Sequence, residues 1–144
     1  MAAVKVSTYN GLRTVIKTDR HTWYADETEA AGGLDTAADP EQQLLGAVGS
    51  CMVITVQLYA RRKEWPLEKV EVELDIEKLN AADYPSYQGD AQYVYEVRER
   101  VTLHGDQLTD EQRARLMEIS TKCPVRRILT SPTFFVHDAP QATR

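Results

Sequence analysis

The chain has 144 residues, 42% hydrophobic and 27% charged, with a net charge of −5 and two cysteines. That length suits one domain around one core, and the composition is that of an ordinary soluble globular protein. The largest basic cluster is Arg61-Arg62-Lys63, which argues against nucleic acid or an acidic lipid surface as the main partner. Two cysteines are too few for a secreted disulfide scaffold. The opening Met1-Ala2-Ala3-Val4-Lys5-Val6 has no charged-then-apolar signal pattern, so the expected location is the cytoplasm, where a lasting structural disulfide is not expected. The cysteines are then either inert core residues or reactive thiols.

In chain order, Val4–Tyr9 alternates and ends at Asn10-Gly11, a hairpin turn signal. Leu12–Lys17 and His21–Ala25 read as the second and third strands of an antiparallel meander. A loop rich in Gly, Ala, Asp and Thr follows from Asp26 to Asp39, and unstructured loops of this length are often functional. Residues 39–62 then predict one long helix. Asp39 is the N-cap, Pro40 fits the first helical position, and Gln42 completes an approximate capping box. Arg61, Arg62 and Lys63 suit the negative end of the helix dipole, and Pro66 prevents continuation.

No charge interrupts Leu44–Ala60. A helix apolar nearly all round is buried or spans a membrane. This run falls short of the roughly 20 predominantly apolar residues a span needs, and Gly46, Gly49, Ser50, Thr55 and Gln57 dilute it. The expectation is a buried central helix and no membrane, with Cys51 on the seam Leu44–Val48–Cys51–Ile54/Thr55–Leu58.

Beyond the Trp65-Pro66-Leu67 turn, Val70, Val72, Leu74 and Ile76 alternate with Glu71, Glu73, Asp75 and Glu77 as a half-exposed strand with an acidic outer face. Nothing supplies His or Cys at metal-ligand spacing, so that face is read as solvated and not as a metal site. Residues 79–90 form a polar loop. Tyr93, Tyr95, Val97, Val101 and Leu103 mark a long strand that pairs back. Thr109-Asp110-Glu111-Gln112 is a capping box that opens a second helix with apolar face Leu116, Ile119 and Cys123. Pro124 interrupts it, Val125–Leu129 forms a further helical turn, Thr133–Val136 a closing strand, and Asp138–Arg144 a frayed tail. Strands, helix, strands, helix, strand indicate an α+β fold in a single domain over 1–144.

Each cysteine occupies the apolar side of a helix, and free Cys is among the most buried residue types. Two such positions, 72 residues apart and the second directly before a Pro, are compatible with a dithiol that opens and closes. Here the sequence resembles a family. Residues 39–51, Asp-Pro-Glu-Gln-Gln-Leu-Leu-Gly-Ala-Val-Gly-Ser-Cys, resemble the signature of the OsmC/Ohr family, the osmotically inducible and organic-hydroperoxide-resistance proteins. Arg61–Leu67 is similar to the segment that follows in an OsmC-like branch. Lys122-Cys123-Pro124-Val125 matches the second Cys-Pro site, and Arg20-His21, Asp26-Glu27 and Gly32-Gly33 fit the same branch.

The resemblance implies an intertwined homodimer with curved antiparallel sheets around the two long helices, and active sites at the dimer interface. It implies peroxidase chemistry without cofactor: Cys51 attacks an organic hydroperoxide, Cys123 resolves the sulfenic acid to a disulfide, and a dithiol or lipoylated protein reduces it. The thiolate needs a nearby positive charge, which in the family is an Arg oriented by a Glu. Glu41 matches that Glu. Arg20, and alternatively Arg13, is the candidate Arg. Ten residues of continuous helix rise about 15 Å, so Glu41 either belongs to a helix that starts late and folds back, or serves the Cys51 of a partner chain. A second reading is a non-catalytic dimeric stress protein that holds an apolar ligand on the same scaffold.

Overall fold

The computed structural model describes residues 3–138. The fold is α+β, with antiparallel sheets and a long central helix. It comprises two compact units, one built from residues up to 50 and from 72–100, the other from 51–71 and from 101 onward. The long helix α1 (Pro40–Arg62) and the strands β4 (Lys69–Asn80) and β5 (Tyr93–His104) run through both.

In the first unit, β1 (Lys5–Asn10), β2 (Arg13–Lys17) and β3 (Thr22–Ala25) form an antiparallel meander in the order β1-β2-β3. Gly11 at φ +59° supplies the left-handed residue of the first turn. The loop after β3 is pinned by the buried Asp26. Its carboxylate accepts the Thr36 hydroxyl (2.6 Å) and the backbone N–H groups of Thr36 (3.1 Å) and Glu27 (2.9 Å). The Thr36 hydroxyl is the main reason the Asp26 pKa lies below its ordinary value. A side chain at Gly33 would meet the Glu27 carbonyl oxygen at 2.0 Å, so only glycine fits there.

The expected N-cap of α1 is present as a full capping box. Asp39 Oδ1 accepts from Gln42 N–H at 2.7 Å, and Gln42 Oε1 accepts from Asp39 N–H at 3.2 Å. Gln43 ties the helix to β3 through the Tyr24 carbonyl (2.7 Å) and the Trp23 indole (3.2 Å). The helix ends before Pro66 is reached. Glu64 turns left-handed at φ +54°, Trp65 N–H bonds Ala60 C=O and Glu64 N–H bonds Arg61 C=O, which is a Schellman closure.

Burial along α1 corrects the sequence reading. Val48, Met52, Val56 and Ala60 form the buried stripe, whereas Leu44, Ile54 and Leu58 are 42–57% exposed and Cys51 is half-buried between the two. The described chain therefore buries one face of α1 and leaves an apolar face open. An uninterrupted apolar run announces burial without saying which side. By length and composition alone α1 is also long and apolar enough to cross a bilayer.

β4 and β5 pair as a hairpin. Antiparallel register follows from the side chains that meet: Glu71 with His104 (2.5 Å), Glu73 with Arg100 (2.8 Å) and Glu77 with Arg98 (3.4 Å). The acidic face of β4 is thus matched by basic partners across the hairpin. The pairs are exposed, and such pairs contribute about 0–1 kcal/mol each.

In the second unit, α2 (Asp110–Ser120) begins at the expected Thr109–Gln112 capping box and buries Leu116 and Ile119. Met52, Val56, Ala60, Val70, Leu108, Leu116, Ile119 and Cys123 are its buried apolar side chains. A third helix, α3 (Pro124–Leu129), follows. The expected strand at Thr133–Val136 does not form: Phe134, Phe135 and Val136 carry no regular secondary structure and are 84–90% exposed. An apolar β-prone segment becomes a strand only beside a free edge, and among the described residues it pairs with none. Of the expected frayed tail, residues 139–144 lie outside the described residues.

Candidate active site

The two cysteines come together in the second unit. Cys51 stands on α1 and Cys123 is the N-cap of α3, and the two thiols are near enough to influence one another. Pro124 explains the local geometry. It occupies the first position of α3, where no N–H is required, and it forces the preceding residue into extended conformation. Cys123 is found at φ −70°, ψ 142°. From there its Sγ accepts Arg126 N–H at 3.3 Å, while Val125 N–H points to Cys51 Sγ at 3.5 Å. Two successive backbone donors of one helical turn thus face two sulfurs.

The sulfurs differ in access. Cys51 is half-buried, whereas Cys123 is 1% exposed. Burial pushes the Cys123 thiol above its ordinary value, the neighbouring Cys51 adds to the rise, and the Arg126 and Val125 amides oppose it. Cys123 is therefore protonated at neutral pH. A thiol with a raised folded-state pKa favours folding below its unfolded value of about 8.5 and loses that contribution as pH climbs through the folded value. The melting temperature is expected to fall as pH rises from about 8.5 through the folded value, and Cys123→Ser to flatten this part of the profile in thermal unfolding.

One network of this unit escaped the sequence reading. Arg115 Nε donates to the Tyr59 hydroxyl at 3.1 Å, Arg115 and Lys122 both pair with Glu118, and Trp65 meets the Tyr59 ring edge-on at 5.6 Å. The paired cations, Lys122 first, hold Glu118 down at about 2, and the Arg115 hydrogen bond lowers Tyr59. It ties α2, whose end leads to Cys123, to the second half of α1. The (i, i+3) and (i, i+4) spacing of 115, 118 and 122 signalled the ion pairs, but nothing signalled Tyr59.

The remaining candidates lie in the first unit. Glu41 is exposed in the first turn of α1. The helix runs unbroken from Pro40 to Arg62, so the arrangement in which it starts late and folds back does not occur. Arg20 is exposed in the turn before β3. Arg13 is held quite differently. Its guanidinium lies 4.3 Å from the Tyr24 ring centre and 5.4 Å from that of Tyr9, and its Nε is buried without a hydrogen-bond partner. Among the described residues no cluster of three or more His, Cys, Asp or Glu forms a metal site.

Comparison with known proteins places residues 33–137 in the family described as OsmC-like protein. The chain belongs to the OsmC-like family. Solved structures share its fold. They include a Psychrobacter arcticus protein described by osmotic stress induction and detoxification response (23% identity, 88% of this chain and 87% of that one, TM-score 0.67). A Legionella pneumophila organic hydroperoxide resistance protein OsmC matches at 14% identity, 90% of both chains and TM-score 0.62. The organic hydroperoxide resistance protein OhrB of Bacillus subtilis matches at 16% identity, 90% and 91% coverage and TM-score 0.55. No curated protein matches the sequence.

Proposed function

We propose that this protein is a thiol peroxidase that reduces organic hydroperoxides as a homodimer. The observation that carries the reading is the meeting of Cys51 and Cys123 under the first turn of α3. The Cys51 thiolate attacks the distal peroxide oxygen, the O–O bond breaks, and the alcohol leaves after protonation. The resulting sulfenic acid condenses with the Cys123 thiol, which releases water and closes the disulfide. A dithiol, free or carried as a lipoyl group on a protein, restores both thiols by exchange. No bound metal or organic cofactor enters this scheme. The cytoplasm is the compartment assigned to the cycle.

The dimer reading rests on exposed apolar surface. In the first unit only Ala25, Asp26 and Val48 are buried among the described residues, while Val6, Leu12, Leu44 and Tyr95 are 42–65% exposed. A second copy laid on α1 would cover its open face. It also supplies Glu41 to Cys51, since a continuous helix holds the two about 15 Å apart within one chain. Arg13 is the better candidate than Arg20 for the charge that Glu41 orients. A guanidinium already stacked and partly stripped of water costs little to reorganise.

The test is peroxide consumption by the purified protein with excess dihydrolipoamide. The apolar surroundings of Cys51 favour an alkyl tail, so cumene hydroperoxide is expected to be consumed faster than hydrogen peroxide. No dithiol-dependent turnover of either would return the scaffold to the binding-protein reading.

A further inference from the structure

The sulfurs of the couple are unequal in a way the peroxidase reading does not use. Cys51 is half-buried, whereas Cys123 is 1% exposed and closed in by the α3 turn that it caps. Thiol–disulfide exchange requires the attacking sulfur to approach one particular sulfur of the bond, and access to that sulfur governs the rate together with the leaving group. Approach to Cys123 requires α3 to open. Approach to Cys51 uses the opening through which peroxide must already pass.

We propose that the reductant attacks the Cys51 sulfur, so that Cys51 carries the mixed disulfide and Cys123 is the leaving group. This rests on the reading that the couple turns over. In the first step the reductant thiolate forms a bond to Cys51 Sγ and the Cys51–Cys123 bond breaks, with its electron pair going to Cys123. The departing sulfur meets the N–H groups of Arg126 and Val125, which already point to this pair of sulfurs. Cys123 then takes up a proton. In the second step the other thiol of the dithiol attacks its own bound sulfur. It leaves as a cyclic disulfide and frees Cys51 as the thiolate. Two electrons pass from the dithiol to the protein, and both cysteines return reduced. Burial makes Cys123 a reluctant leaving group, and the two amides oppose this only in part. Accordingly, one sulfur receives both substrates in turn through one opening, and a large excess of dithiol competes with peroxide.

The test uses the wild-type protein oxidised in two ways, with one equivalent of cumene hydroperoxide and separately with diamide. Each sample is treated briefly with 2-mercaptoethanol, quenched with acid, alkylated with N-ethylmaleimide and peptide-mapped by mass spectrometry. The expected result is mercaptoethanol on Cys51 and maleimide on Cys123, in excess of the reverse by about tenfold or more. The reverse pattern, or equal labelling, overturns the proposal, as does failure of both oxidants to form the disulfide. A disulfide made by diamide but not by peroxide counts against the peroxidase reading alone, and the diamide sample still decides which sulfur is attacked.

Discussion

Cys51→Ser is expected to reduce dithiol-dependent consumption of cumene hydroperoxide to the background rate, a loss of about 10³-fold or more, the scale on which removal of a nucleophile acts. A serine hydroxyl in the same place is not a thiolate, and the Val125 N–H that now faces Cys51 Sγ at 3.5 Å has no anion to hold. Cys123→Ser should behave differently. Serine is a better N-cap than cysteine and keeps α3 in place, so the first peroxide is still reduced at Cys51. The sulfenic acid then has no partner sulfur. Without added dithiol, the variant should hold Cys51 as a sulfenic acid after one equivalent and oxidise it further under excess peroxide, where the wild type closes a disulfide. Stopped-flow consumption together with intact mass separates the two variants. Equal steady-state rates in wild type and Cys51→Ser would contradict the assignment.

The second large effect concerns Glu41. With α1 unbroken, Glu41 and Cys51 of one chain cannot serve one site, so each variant, Glu41→Gln and Cys51→Ser, should be inactive or nearly so alone. Mixed and allowed to exchange subunits, they should recover activity. A heterodimer places the intact Glu41 of one chain beside the intact Cys51 of the other. Random pairing makes about half the molecules heterodimers, each with one working site of two, so recovery should approach about a quarter of wild type. No recovery after verified exchange would remove Glu41 from the partner's site. Full activity in Glu41→Gln alone would remove it from catalysis.

Much of the fold was legible because local chemistry and tertiary structure agree. Asn10-Gly11 makes the first turn, Asp39 with Gln42 and Thr109 with Gln112 make capping boxes, and Pro124 restarts the chain as a helix. Three features were hidden, each because it depends on a surface the sequence does not name. The unbroken apolar run of α1 could not say that Met52 and Val56 face inward while Ile54 and Leu58 face out. Thr133–Val136 carries a strand pattern, but an edge must be free to receive it. The enclosure of Arg13 needs Tyr9 from β1 and Tyr24 from β3 on the same side of the sheet, a coincidence of register invisible along the chain. For the site, the two cysteine motifs marked the pair, and the structure added what spacing could not, namely that the two thiols are neighbours beside one turn of α3.

The central claim is that Cys51 and Cys123 act as one redox couple, and thiol counting during a peroxide titration tests it most directly. Reduced protein freed of reductant should lose both of its free thiols upon addition of one equivalent of cumene hydroperoxide. Its mass should fall by the two hydrogens of a disulfide, and peptide mapping should join Cys51 to Cys123. Retention of both thiols, or oxygen added at Cys51 with Cys123 still free, would contradict the account.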